Sequence, residues 1–279
     1  MTNNPKISIG MPVYNGHKYI KDALDSLLAQ TFTNFEIIIS DNASTDETQA
    51  ICEKYAANDK RIRYIRQSEN IGSINNFQFV LNESIGTYFM WAAHDDQRDC
   101  RFLEMCNNIL DRNEKVGLVS SFSITKNLQN LKTTTNIVGF SVSSNKFMRY
   151  LFRLSNPDSL MVYGLFRKKI LVKKNMSLFD YSDIHLTHWF ELNSNIVIIP
   201  LFLTIIGTDG NRTPYSLTGN YICYKTFLAK EFKLLRNHFS RLISLFLIVI
   251  TFYLFRKTTK AHNLKIKLNE SCNNSFKIL

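Results

Sequence analysis

Glu36-Ile37-Ile38-Ile39-Ser40-Asp41-Asn42-Ala43-Ser44-Thr45-Asp46-Glu47 is the stretch that decides the fold. Residues 36–40 form an apolar run too short for a helix, and an isoleucine-rich run of this length suits a strand covered on both faces. Asp41-Asn42-Ala43 breaks the run. Ser44 with Glu47 three residues on reads as a capping box, predicting a helix whose apolar face continues through Ile51, Cys52 and Tyr55. A strand, a short polar loop and a helix make half of a βαβ unit, which implies a parallel sheet with right-handed crossovers.

The alternation extends both ways. Residues 6–11 predict a strand, Pro12-Val13-Tyr14-Asn15-Gly16 a loop, and Ile20, Leu24, Leu27 and Leu28 one face of a helix. Downstream come a strand over 63–66, the turn Asn70-Ile71-Gly72, and a helix marked by Ile74, Phe77, Val80 and Leu81 that ends near Gly86. Residues 88–92 predict a strand running into His94-Asp95-Asp96, followed by a helix over 102–112 and a strand over 116–122. The polar stretch 126–145 reads as a mobile loop, 161–167 as a strand, 182–192 as a helix, and 196–199 as a strand closed by Pro200. The expected class is α/β: a Rossmann-like, mostly parallel sheet flanked by helices, with a helical C-terminal extension. Ligands of such sheets bind beyond the carboxyl ends of strands, where Asp41 and Asp95-Asp96 fall.

With 279 residues, 45% of them hydrophobic and 20% charged, the chain can bury a core and is not a disordered segment. Its net charge of +11 admits nucleic acid, an anionic membrane surface or a phosphate-bearing substrate as partner. The excess sits mainly in the tail, where Glu231 and Glu270 are the only acids after residue 225. Residues 242–255 are apolar and bracketed by Arg241 and Arg256-Lys257, but a membrane span needs about 20 residues. The tail over 236–279 is therefore expected to pack on the domain or to lie on an anionic membrane surface. Its charges lack interleaved aromatics outside the apolar stretch, which argues against nucleic acid. Five cysteines with no CxxC pair point to a reducing compartment, and the N-terminus has no signal-peptide pattern. A cytoplasmic protein, peripheral on the inner face of the cell membrane through its tail, is the expectation.

Carboxylates at strand ends can grip a nucleoside through hydrogen bonds, and a hard divalent cation held by oxygen ligands offsets the charge of a departing diphosphate. Taken singly, Asp-Asp after a strand caps helices and Asp41 forms turns. Trp91 and Trp189 suit a core, with a platform for a sugar ring as the other reading, and His185 and His188 suit a core or an acceptor-side loop.

The ordered set is more specific. Pro12 to Gly16, Glu36 to Asp46, Asn70-Ile71-Gly72, and Gly86-Thr87-Tyr88 leading to His94-Asp95-Asp96 closely resemble glycosyltransferase family 2, strongly over about residues 5–112 and fading after about 215. The resemblance implies a GT-A fold and an inverting transferase that moves a sugar from a nucleotide sugar, UDP-sugars being commonest, to a saccharide or lipid-linked saccharide acceptor in bacterial surface polysaccharide or lipopolysaccharide assembly. By that resemblance Pro12, Tyr14 and Asn15 belong to the first nucleotide-binding loop, Asp41 is the acid that meets the base, Asn70 and Gly72 border the nucleotide, and Asp95 is the ligand of Mg2+ or Mn2+. The pattern is incomplete: Asn42 replaces a second acid and Ala93 the first acid of the DXD motif. Asp183 matches the catalytic base by position, with Glu191 and Asp180 behind it. The implied organisation is a nucleotide-sugar-binding part over 1–125, an acceptor-binding part over 126–220 and a basic tail over 221–279. The competing readings are a nucleotidyltransferase, a catalytically weak nucleotide-sugar-binding protein on the same fold, and a nucleic-acid binder.

Overall fold

The computed structural model describes residues 4–137, 145–155, 160–172, 182–208, 233–238, 244 and 247. The N-terminal half alternates: β1 (Ile7–Val13), α1 (Ile20–Leu28), β2 (Phe35–Asp41), α2 (Thr48–Asn58), β3 (Ile62–Arg66), α3 (Ser73–Glu83) and β4 (Tyr88–Trp91). Then come β5 (Gln97–Arg98), α4 (Phe102–Arg112), β6 (Val116–Asn127), β7 (Thr133–Asn136), α5 (Lys146–Ser155), a 3-10 turn (Leu160–Tyr163), β8 (Leu165–Arg167), α6 (Lys168–Leu171), α7 (Ser182–Asn193) and β9 (Asn195–Thr208).

Among the described residues the strands form one sheet in the order β3-β2-β1-β4-β8-β6-β9-β5, with β7 paired to β6. β1 runs parallel to β2 and β4, and β2 to β3. β8 is inserted antiparallel between β4 and β6, which themselves point the same way, and β9 runs parallel to β6. The carboxyl ends of β1, β2, β4, β6 and β9 therefore share one edge.

Strand alternation divides the core between two faces. Ile7, Ile9, Met11 and Val13 meet Leu24 and Leu27 of α1 and Phe102, Cys106 and Leu110 of α4. Ile38, Phe89 and Trp91 point the other way, towards Val80 and Leu81 of α3 and Trp189 and Phe190 of α7. Each fully buried large aliphatic or aromatic side chain contributes about 1.5–3 kcal/mol, so these two layers hold the sheet edge rigid. Both tryptophans are core residues, and the Trp91 indole donates to the Phe77 carbonyl.

Four sequence expectations change. Ser44 and Glu47 form no capping box: α2 starts at Thr48, whose amide is held by the Asp46 carboxylate at 3.0 Å, while the Ser44 hydroxyl accepts the Asn15 amide. The cap shifted because Ser44 is recruited to join two loops. The expected loop after 126 is in part a hairpin, β6 reaching Asn127 and the β-branched Thr133–Asn136 run pairing back on it. The strand expected over 161–167 splits into the 3-10 turn and the three-residue β8. Finally, β9 passes through Pro200. Ile199 pairs Ser121 and Phe202 pairs Phe122, so Pro200 and Leu201 sit in a bulge where no ladder N–H is needed.

Most of 242–255 lies outside the described residues. Leu234, Leu235 and Leu247 are buried in the α3–α7 core layer. No helix among the described residues is long and apolar enough to cross a membrane.

Candidate active site

The carboxyl edge of the sheet opens into a cleft of about 330 Å³. One wall carries Pro12, Val13 and Tyr14 from the loop after β1, the opposite wall Ala93, His94 and Asp95 after β4. Asn42, Asn70, Ser73, Asn76 and Phe77 line the side towards α3, and Tyr163 of the 3-10 turn closes it on the other. Tyr14 is 46% exposed, an aromatic face open to solvent at the mouth.

Short polar side chains tie these loops together. Asn15, with φ 52°, accepts the Thr45 amide on its side-chain oxygen at 2.9 Å. Asn42 donates to the Asn70 side-chain oxygen and accepts the Ile71 amide, both at 2.8 Å. That Asn70 oxygen also accepts the Gly72 amide, and Gly72 sits at φ 82°, a conformation a side chain would strain, as it leads into α3. Asn76 holds α3 to the end of β2 by donating to the Ser40 carbonyl and accepting the Ser40 hydroxyl. Such bonds are worth about 1 kcal/mol each, and the buried Ser40–Asn76 pair costs more when half is removed.

Asp41 stands one residue behind the wall. Its carboxylate is fully buried and accepts the Ser44 amide at 2.8 Å, the Tyr64 hydroxyl at 2.8 Å and the Arg66 guanidinium at 3.0 Å. Burial and the Asp41 hydrogen bond push the Tyr64 phenol well above its ordinary range, so it stays a donor. The acid expected to meet a base thus already holds its own loop and β3, and Asn42 beside it faces the cleft.

On the facing wall Asp95 is half-buried at the cleft, whereas Asp96 turns inward. Its carboxylate accepts the Gly207 amide at 3.2 Å and lies 3.7 Å from the Arg98 guanidinium. Gly207 has room for nothing larger, since an added Cβ would stand 2.2 Å from the Asp95 carbonyl oxygen. Burial lowers the Arg98 pKa, and the Asp96 charge opposes that fall.

Pro12, Tyr14, Asn70 and Asp95 line the cleft, Asn15 ties the loop of Tyr14 to the neighbouring loop at Thr45, and Gly72 shapes the turn behind Asn70. Asp183 lies in the first turn of α7, its side chain outside the described residues, as is Asp180. Glu191 is taken up elsewhere: it is buried and pairs with Arg153 at 3.0 Å and Arg149 at 3.6 Å. The sequence reading gave no site role to Asn76 or Tyr163. Asn76 occupies a mid-helix position where polar residues normally face water, which was the available signal.

Among the described residues no group of three or more His, Cys, Asp or Glu converges on one point. With Asp96 turned away, Asp95 is the acid that faces the cleft among the described residues. Such a site suits a hard divalent cation whose remaining ligands are diphosphate oxygens and water, and does not suit an all-protein cage.

The sequence model described as glycosyl transferase family 2 matches residues 8–173. An uncharacterized glycosyltransferase of Rickettsia typhi is 38% identical over 111 residues, 40% of this chain and 34% of that protein. Glycosyltransferase GlyA of Streptococcus pneumoniae is 36% identical over 37% of this chain and 15% of its own length. The chain thus matches about a third or less of these relatives. Among solved structures, S. aureus TarS 1-349 in complex with UDP-GlcNAc superposes with TM-score 0.65 at 17% identity, covering 86% of this chain and 69% of that one. The mannosyltransferase PcManGT from Pyrobaculum calidifontis, in complex with GDP-Man and Mn2+, gives TM-score 0.54 at 16% identity over 87% of this chain and 65% of its own. At such identities the likeness establishes the GT-A architecture.

Proposed function

The chain belongs to glycosyl transferase family 2, and from that premise we propose that it moves a glycosyl group from a nucleoside-diphosphate sugar to an acceptor hydroxyl, inverting the anomeric carbon. The observation that carries this reading is the cleft that brings Tyr14, Asn42, Asn70 and Asp95 together from the ends of β1, β2, β3 and β4. Its volume of about 330 Å³ falls within the range of small-ligand sites. UDP-GlcNAc in the TarS complex supports a UDP-sugar donor.

Tyr14 and Pro12 receive the base, Asn42 and Asn70 offer amide groups beside it, and Asp95, which lines the same cleft, would hold Mg2+ or Mn2+. The cation, when bound, offsets the negative charge that grows on the leaving diphosphate. Asp183 takes the proton of the acceptor hydroxyl as its oxygen attacks the anomeric carbon from the side opposite the nucleotide. The C–O bond to the diphosphate breaks in the same displacement, through an oxocarbenium-like transition state. Asp183 is supported by the contact of α7 with the 3-10 turn that supplies Tyr163 to the cleft. Acceptor recognition by residues 126–220 rests on the same side of the cleft, and the acceptor class we assign is a saccharide or lipid-linked saccharide of the bacterial surface.

The basic tail favours a second contact, an anionic membrane surface met by residues 236–279. Because Leu247 is buried in the core, that contact would be electrostatic, not an insertion of that side chain. Stronger binding to anionic than to neutral liposomes, lost on raising salt, is expected; equal binding to both would refute it.

The deciding experiment reads nucleoside diphosphate release across a panel of nucleotide sugars, with and without Mn2+ or Mg2+. Release of a nucleoside diphosphate without pyrophosphate supports sugar transfer, and pyrophosphate would support a nucleotidyltransferase. Asp95→Ala and Asp183→Asn are each expected to lower turnover at least about 100-fold, by loss of charge compensation and of the general base. Unchanged turnover in either would remove the role assigned to that residue.

A further inference from the structure

Arg98 is a guanidinium in the wrong place for a surface residue. Its side chain is 1% exposed, it lies in the two-residue strand β5, and its Nε and Nη2 have no hydrogen-bond partner among the described residues. The ring of Phe102 lies 5.7 Å from it, and Nη1 donates to its neighbour's carbonyl at Gln97. An arginine is not kept in such surroundings for stability, since a well-packed apolar residue would serve as well or better. Its charged neighbour is Asp96, at 3.7 Å, with side chain 2% exposed. Asp96 is bonded on its other oxygen to the Gly207 amide, and Gly207 lies against the Asp95 carbonyl.

We propose that Arg98 is a positioning residue of the donor site, acting through Asp96 to set the Asp95 carboxylate and to keep the second carboxylate out of the cleft. Asp95 and Asp96 are adjacent, so a second acid turned towards the cleft would face an anionic diphosphate or compete for its cation, and the Arg98 charge opposes that turn from the inward side. With Arg98 in place Asp96 is drawn inward and neutralised, the peptide between the two acids is fixed against β9, and Asp95 alone faces the ligand. The pairing of Arg98 with Thr204 and of Gln97 with Ile205 puts β5 in register with the strand that carries Gly207, so one short ladder holds both halves of the device. The proposal rests on the reading of the cleft as a nucleotide-sugar site.

Calorimetric titration of the full chain with UDP and GDP, with and without Mn2+, tests it alongside thermal melting. Binding of neither nucleotide by the wild type would overturn the donor-site reading and the proposal with it. Given wild-type binding, Asp96→Asn and Arg98→Met are each expected to weaken nucleotide affinity in Mn2+ about 10-fold or more, with little change in its absence. If Arg98 works through Asp96, the double variant binds no worse than the weaker single variant. Affinities in Mn2+ that match wild type in folded Arg98→Met, or losses that simply add in the double variant, would overturn the proposal while leaving the site reading intact. Should Arg98→Met not fold, Asp96→Asn and Arg98→Lys decide: Lys keeps the charge and is expected to retain most of the metal-dependent affinity, whereas equal losses in both would overturn the proposal.

Discussion

Tyr14 presents 46% of its surface at the cleft mouth, next to Pro12, and a ring left that open beside a nucleotide site is available for stacking. Stacking of a base on an aromatic ring is worth about 1–3 kcal/mol, so Tyr14→Ala is expected to raise the Kd for UDP about 10-fold or more, and Tyr14→Phe to leave it near wild type. Calorimetry reads both, and an unchanged Kd in the Ala variant would place the base elsewhere. Gly207 argues from the other wall. A methyl group there would meet the Asp95 carbonyl at 2.2 Å, so β9 or the Asp95 turn has to move. Gly207→Ala is expected to cost about 1–3 kcal/mol by overpacking and to weaken metal-dependent nucleotide binding more than binding without metal. Melting and titration on one sample separate the two effects. Tyr14 and Asp95, read from local motifs, both line the cleft. Sequence reading could not see that the Asp41 carboxylate already accepts from Ser44, Tyr64 and Arg66, since that follows from the β2–β3 pairing and the loop that folds over it. Nor did it place Tyr163 at the cleft, which that residue reaches from a turn far along the chain.

Elements were legible wherever a segment was long and periodic. α4 (Phe102–Arg112) has the bounds its apolar spacing predicts, and β1 to β4 with α1 to α3 follow the βαβ pattern. β5 has two residues and so has no period to read; its existence depends on β9 lying beside it. Pro200 reads locally as a stop, yet the strand continues because the register shift with β6 falls at that place. One cross-element contact carries a testable weight. The Arg167 guanidinium of β8 is buried and donates to the carbonyls of Leu110 and Asn113 at the end of α4, and to Val116 at the start of β6. The last carbonyls of a helix have no partner within it and carry partial negative charge, which a buried arginine satisfies well. Arg167→Met keeps much of the volume and strands those oxygens, so it is expected to cost about 3 kcal/mol. Urea unfolding measures that loss. Because these contacts lie at the end of the sheet opposite the cleft, the Kd for nucleotide below the unfolding transition is expected to stay within about two-fold of wild type, well under 1 kcal/mol. A large change in affinity at full folding would show that the two ends of the sheet are coupled.

On the scale of the molecule, acid stability follows from carboxylates at and beside α2 and α4, the helices that cover one face of the sheet. Asp46 is held down to about 2: burial opposes the fall, but bonds from the Thr48 hydroxyl and amide and from His17 outweigh it. The Arg61 guanidinium lowers Asp59 and that of Arg101 lowers Asp99. Asp111 is lowered too, burial again opposing while Lys6, Tyr88 and Asn107 prevail. In each case the folded-state value lies below that of the unfolded chain, so the native state releases these protons more readily. Their stabilisation is fully present above the ordinary aspartate value of 3.8 and is lost as pH falls through the depressed values, down to about 2. Asp46 alone, with 17% side-chain exposure, accounts for up to about 2 kcal/mol of that loss. Over the same interval the chain, already at +11, loses negative charge throughout, and self-repulsion adds to the effect. The urea midpoint is therefore expected to change little between pH 7 and 5 and to drop steeply below about 4, with Asp46→Asn less stable at pH 7 and showing a shallower fall. Added salt at pH 3 would recover the part due to repulsion and leave the part due to the protonated pairs. A midpoint that stays level down to pH 3, or an Asp46→Asn profile parallel to wild type, would mean that these ion pairs do not hold the carboxylates down in solution.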